Sequence, residues 1–108
     1  MKNHVLLSIS KEMTSEIWAN TVVRVNGGYS SDSPILGVAS DYCESGKLST
    51  VDLRGLLSVK IADNETVQTG DILGVDAMGQ GVSPNSGNKV SDFALVVKVE
   101  SGYALVNV

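Results

Sequence analysis

Apolar residues in this chain recur mainly at every second position, in short runs broken by Gly, Asn, Asp and Ser, a pattern that predicts strands joined by turns. The run 67–80 sets the frame. Thr69-Gly70-Asp71 reverses the chain, Ile72-Leu73-Gly74-Val75 runs extended, and Asp76-Ala77-Met78-Gly79 reverses it again. Strand side chains alternate, so Leu73, Val75 and Ala77 are expected on one face and Ile72 and Gly74 on the other. Gly74 then leaves room for a neighbouring backbone or a large side chain.

The same pattern extends on both sides of this run. Thr21-Val22-Val23-Arg24-Val25 is β-branched and stops at Asn26-Gly27-Gly28, and Ile35-Leu36-Gly37-Val38-Ala39 stops at Ser40-Asp41. Across 48–61, Val51, Leu53, Leu57, Val59 and Ile61 all have odd numbers, so one face is apolar throughout, and Gly55 between them predicts a bulge or bend. The segment 82–92 reads as an exposed loop; Phe93, Leu95, Val97 and Val99 then share an apolar face, and Ser101-Gly102 turns into a final strand over 103–108. About seven strands with reversals every ~8–12 residues predict an all-β fold, a small barrel or a sandwich. Gly37, Gly70, Asp71, Gly74 and Gly79 are the expected structural turn positions.

Residues 1–20 follow a different pattern, which divides the chain into an N-terminal segment, 1–20, and a β-rich domain, 21–108. His4-Val5-Leu6-Leu7-Ser8-Ile9 fits a short strand, whereas Ile9, Met13 and Ile17, spaced four apart, fit one side of a short helix. An extended arm is the third reading, since about twenty residues at ~3.3 Å each would outreach the domain itself. Under that reading Val5, Leu6, Ile9, Met13, Ile17 and Trp18 are the candidate contacts with a partner.

Composition narrows the possible functions. With 8 basic and 12 acidic residues and neither sign gathered into a run, the chain lacks the basic field of a nucleic-acid binder. One cysteine, Cys43, leaves no intramolecular disulfide and favours synthesis in a reducing cytoplasm. The amino terminus does not read as a signal peptide, and no apolar run approaches the ~18 residues of a membrane span.

Catalytic and metal chemistry find little to work with. The single histidine, His4, has no nucleophile or carboxylate at a telling spacing and reads as a surface or interface residue. The aspartates are scattered, and Asp71 and Asp76 lack the ligand ladder of a calcium loop; they read as turn formers. No glycine-rich stretch precedes Lys-Ser or Lys-Thr, so a phosphate loop is absent. The run from Thr69-Gly70-Asp71 to the turn at 76–80 is similar to the hairpin of lipoyl and biotinyl carriers, but its tip holds Met78 instead of the lysine they modify. A carrier or small-molecule binding module of barrel-sandwich type is therefore the alternative reading. Trp18 and Tyr29 read as interface or core anchors. No enzyme activity, cofactor or metal is expected.

Taken in order, Thr21–Val25, Ile35-Leu36-Gly37-Val38-Ala39-Ser40-Asp41, Ser45-Gly46, the run from Val51 through Gly55-Leu56, and Thr69-Gly70-Asp71-Ile72-Leu73-Gly74-Val75-Asp76-Ala77-Met78-Gly79 resemble the small capsid decoration, or cement, proteins of tailed bacteriophages. The resemblance covers roughly residues 21–108. It implies a β-rich domain bound to the major capsid protein on the outside of the expanded phage head, as a homotrimer, made in the host cytoplasm and carried on the virion, with no direct contact to nucleic acid or membrane. Some members of that family have been labelled recombinases; an acidic chain without a nucleotide loop does not support that activity.

Overall fold

A computed structural model describes residues 2–108 of the protein. Among them there are eight strands and no helix: β1 (His4–Glu12), β2 (Thr21–Arg24), β3 (Ile35–Ala39), β4 (Leu48–Lys60), β5 (Ile72–Val75), β6 (Gly81–Val82), β7 (Ser91–Glu100) and β8 (Tyr103–Asn107). The sheet runs β2-β3-β4-β8-β7-β5-β6, with β1 added on β4, and the strand pairs are antiparallel. It curls until its ends meet. The Val22 N–H donates to the Gly79 carbonyl at 2.8 Å, the Arg24 guanidinium reaches Ser91 Oγ at 2.7 Å, and Ile61 bridges Gly81. The result is a nearly closed, all-β barrel.

β4 organises the barrel. Its 13 residues pair with β1 from Leu48 to Leu56 along one edge. The opposite edge holds β3 at Val51 and Asp52, then β8 from Leu56 to Lys60. Gly55 lies at the handover: it pairs with Val5 on one side and exchanges backbone hydrogen bonds with Val108 on the other. Its φ is +125°, and a Cβ there would lie 2.1 Å from the His4 carbonyl oxygen. Only glycine fits that conformation and that approach. The expected bend is present.

Two apolar clusters result. The larger fills the barrel with Val22, Val38, Leu57, Val59, Ile61, Leu73, Val75, Val96, Val106 and their neighbours. The smaller lies against the outer face of β2, β3 and the first half of β4, where Met13, Ile17 and Cys43 cover Val23, Ala39 and Val51. Alternation therefore sends Val22 inward and Val23 outward, and both are fully buried. The odd-numbered residues of β4 serve both clusters, Val51 the smaller and Leu57 and Val59 the larger, which Ile61 joins just beyond the strand.

The structure corrects several expectations. Of the readings of the N-terminal segment, the strand over 4–9 is present, extended to Glu12 as β1, and the helical one is not, because the backbone groups that follow are satisfied across the chain: Met13 N–H donates to the Lys47 carbonyl, and Ile17 exchanges hydrogen bonds with Cys43. Gly37 and Gly74 are strand positions, not turns. A Cβ on Gly37 would meet the Asp52 carbonyl oxygen at 2.3 Å, and one on Gly74 the Lys89 side chain at 2.7 Å. Gly70 and Gly79 do stand in turns with positive φ, and Asp71 accepts a hydrogen bond from Gln68 N–H. In β7 Val96, opposite the buried Val106, points into the core, and Leu95, opposite Asn107, is exposed; a register shift between Val96 and Lys98 then breaks the parity, so that Val99 lies opposite the buried Ala104.

Two stability outcomes follow. Gly55→Ala should destabilise by more than ~1 kcal/mol, since φ is positive and the added methyl meets backbone. Met13→Ala should cost about 2–5 kcal/mol, the range for emptying a closed apolar site. Urea unfolding checks both, and a wild-type midpoint for Met13→Ala would show that 13–20 is not part of the core.

Candidate docking surface

β1 is held to the sheet by its backbone ladder with β4, and its side chains contribute little to either core. His4 to Ser10 are all exposed, including Val5, Leu6 (72%), Leu7 (52%) and Ile9. Among the described residues its outer edge has no strand partner. Such an edge offers a row of free N–H and C=O groups to an incoming strand, and apolar side chains beside it favour the contact.

The registers extend this surface across the barrel. His4 lies opposite Leu56, Leu56 opposite Asn107, Asn107 opposite Leu95, and Leu95 opposite Ile72. Directly opposed residues share a face, so one row of side chains crosses β1, β4, β8, β7 and β5 on the outside of the sheet. Leu95 and Ile72 are 42% and 47% exposed, and Val97 adds to them. The row is mixed, with Leu56, Leu95 and Ile72 apolar and His4 and Asn107 polar, and its exposed apolar side chains make this face a candidate interaction surface.

A separate aromatic pair stands on the segment that covers the smaller cluster. The Ile17–Cys43 bridge turns both of those side chains inward, which leaves Trp18 and Tyr42 facing each other outside, with ring centroids 5.1 Å apart and planes at 49°. Tyr29 fixes the position. Its hydroxyl accepts from Trp18 N–H at 2.9 Å and lies 2.8 Å from Thr21 Oγ1, which donates to the Trp18 carbonyl. The Tyr42 hydroxyl donates to the Glu16 carboxylate, and that bond, with smaller contributions from desolvation and nearby acids, pushes its pKa up to about 12.

Of the six candidate contact residues, Val5, Leu6, Ile9 and Trp18 are exposed, whereas Met13 and Ile17 are fully buried in the smaller cluster and support the surface from beneath. Sequence reading missed Leu7, Tyr42, Ile72, Leu95 and Val97. A usable signal existed for β7: Phe93, Leu95 and Val97 at odd positions and Ala94 and Val96 at even ones make both faces of the strand apolar, more than a single core requires.

The titratable groups do structural work. Among the described residues no three His, Cys, Asp or Glu side chains gather as metal ligands. The Glu65 carboxylate accepts from Ser83 N–H and Ser86 Oγ, which lowers its pKa and ties down the 83–88 loop. Asp76 closes its turn by accepting from Met78 N–H and Gln80 N–H. Burial lowers the pKa of Arg24, which bonds only to neutral oxygens, on Ser33 and Ser91. Burial raises that of Asp52, reinforced by Asp41.

A raised carboxyl pKa means that the folded state binds more protons than the unfolded one between the ordinary and the raised value, so Asp52 should cost stability as pH rises through that window. Asp52→Asn should therefore unfold at a higher temperature than wild type at pH 7, with the gap closing on acidification below the ordinary carboxylate range. Thermal melts across pH measure it, and a pH-independent gap would point to a cause other than ionisation.

No family model matches the chain, and no curated protein matches it. Among solved structures, the N base of the head fiber gp8.5 of bacteriophage phi29 resembles it with a TM-score of 0.61, covering 94% of this chain and 93% of that one at 19% sequence identity. The likeness extends over nearly the full length of both chains and shows that they share a fold.

Proposed function

We propose that this chain is a structural protein of a tailed-phage head, a decoration protein without catalytic activity that sits on the outer surface of the expanded capsid and stabilises it against the pressure of packaged DNA. The observation that carries the reading is β1, a strand paired only with β4 that presents apolar side chains and a free edge, on a barrel whose fold is that of a phage head fiber base. The capsid contacts are assigned to Val5, Leu6, Leu7 and Ile9, to the strip through Leu95 and Ile72, and to Trp18. Three copies around a three-fold position of the shell are the expected arrangement.

The physical logic needs no chemistry beyond binding. A protein that bridges neighbouring shell subunits must detach before they separate, and a ligand that binds only the intact lattice stabilises it by RT ln(1 + [L]/Kd) per site, about 2.7 kcal/mol at 100-fold excess over Kd. Selectivity for the expanded shell requires a site that expansion completes. An acidic chain, with net charge −4, also avoids capturing exposed DNA. A carrier function finds no support at the β5–β6 turn, where Met78 stands in place of a modifiable lysine.

Co-sedimentation with compact and with expanded shells of the same phage tests this reading. Wild type should saturate the expanded shells alone and raise their disruption temperature; absence from both would end the proposal. Leu6→Glu and Leu95→Glu replace exposed side chains and should leave the melting temperature within a few degrees, yet each should weaken binding about tenfold or more, the equivalent of ~1.4 kcal/mol. Undiminished binding by Leu6→Glu would remove β1 from the interface.

A further inference from the structure

The Trp18–Tyr42 pair is exposed and yet fixed in place. The two residues keep 51% and 46% of their surface in solvent while their rings pack against each other. Trp18 is tied through its backbone on both sides, its N–H donating to the Tyr29 hydroxyl and its carbonyl accepting from Thr21 Oγ1. An aromatic surface ordered in advance loses little freedom when a partner covers it. The charge around the pair has one sign. The segments that carry it, 13–20 and 40–47, hold Glu16, Asp41 and Glu44 against one lysine, Lys47, and the three acids are exposed. Among the described residues none of these four side chains is in an ion pair; the pairs are Lys89–Asp92 and Lys98–Glu100. At the Tyr42 hydroxyl, the hydrogen bond to Glu16 and the charges of Glu16 and Glu44 all push the pKa up, and no lysine or arginine opposes them. Glu16 gives one carboxylate oxygen, Oε2, to that bond.

We propose that this pair is the receptor for an arginine side chain of a protein partner, whose guanidinium lies over the Trp18 indole and donates to the Glu16 and Glu44 carboxylates. Indole is the aromatic face that attracts a cation most strongly. A guanidinium is planar and more weakly hydrated than an ammonium, so it stacks on a ring at lower desolvation cost, and its fork of N–H donors matches carboxylate oxygens. A purely apolar partner covering Trp18 and Tyr42 desolvates the neighbouring acids without compensation, which is costly, and an acidic partner is repelled. A basic side chain turns the same acids into an attraction. In the head-binding reading, on which the identity of the partner rests, the arginine belongs to the major capsid protein; the receptor itself is a property of this chain alone.

Titration of the ¹⁵N-labelled full chain with N-acetylarginine amide at constant ionic strength tests the receptor. Trp18 is the only tryptophan, so the single indole N–H signal reports on it directly, with the backbone amides of Trp18 and Tyr42 beside it. These signals should shift in a saturable way, with a Kd on the order of tens of millimolar, as an exposed cation–π contact with surface ion pairs allows. N-acetylcitrulline amide, of the same shape but uncharged, should bind at least about fivefold more weakly, and N-acetyllysine amide with its free ammonium should also bind more weakly than the arginine compound. Trp18→Leu and Glu44→Gln replace exposed side chains and should melt within a few degrees of wild type. The first should lose the shift at the Tyr42 amide, and the second should weaken binding about threefold, the worth of one surface ion pair. No saturable shift, an equal response to citrulline, tighter binding of lysine, or unchanged affinity in either variant would each overturn it. Binding of the arginine compound by a chain that ignores expanded shells ends the head-binding reading and leaves the receptor standing; binding of shells without the arginine compound does the reverse.

Discussion

The structure depends on one strand holding more neighbours than a single regular edge allows. β4 hands its inner edge from β3 to β8 over the few residues between Asp52 and Leu56, and Gly55, in a backbone conformation that side chains disfavour, makes the handover possible. The bend lets residues of one parity line two different cores in succession. Closure then needs little more: a backbone hydrogen bond from Val22 to Gly79 and a buried arginine reaching Ser91 bring the ends of the sheet together.

Much of this was legible in the sequence, because it is written in alternation and in turn residues. The extent of β5 over Ile72–Val75, the odd-numbered apolar face of β4 and the bend at Gly55 were all readable there. Where reading failed, the deciding interactions lay far apart in the chain. Ile9, Met13 and Ile17 have helical spacing, yet Met13 and Ile17 are fixed by Lys47 and Cys43, some thirty residues away. Gly37 is glycine because the β4 backbone passes over it, which only the paired sheet reveals. The register shift around Val97 breaks the single face expected for Phe93, Leu95, Val97 and Val99, since bulges leave little local trace.

The candidate surface shows the same division. Leu6 and Trp18 were nameable because they precede the regular pattern, whereas Ile72 and Leu95 become neighbours only through the β5–β7 register, and Tyr42 meets Trp18 only through the Ile17–Cys43 bridge.

The way β1 is attached has an evolutionary consequence. A strand secured through backbone groups, with its side chains in solvent, makes almost no demand on side-chain identity beyond compatibility with an extended conformation. Substitutions from His4 to Ser10 can accumulate without threatening either core, while the interior valines and the Gly55 bend stay fixed. This part of the chain is therefore free to diverge quickly, and two proteins of this fold can keep the same barrel while sharing little recognisable sequence along such a strand.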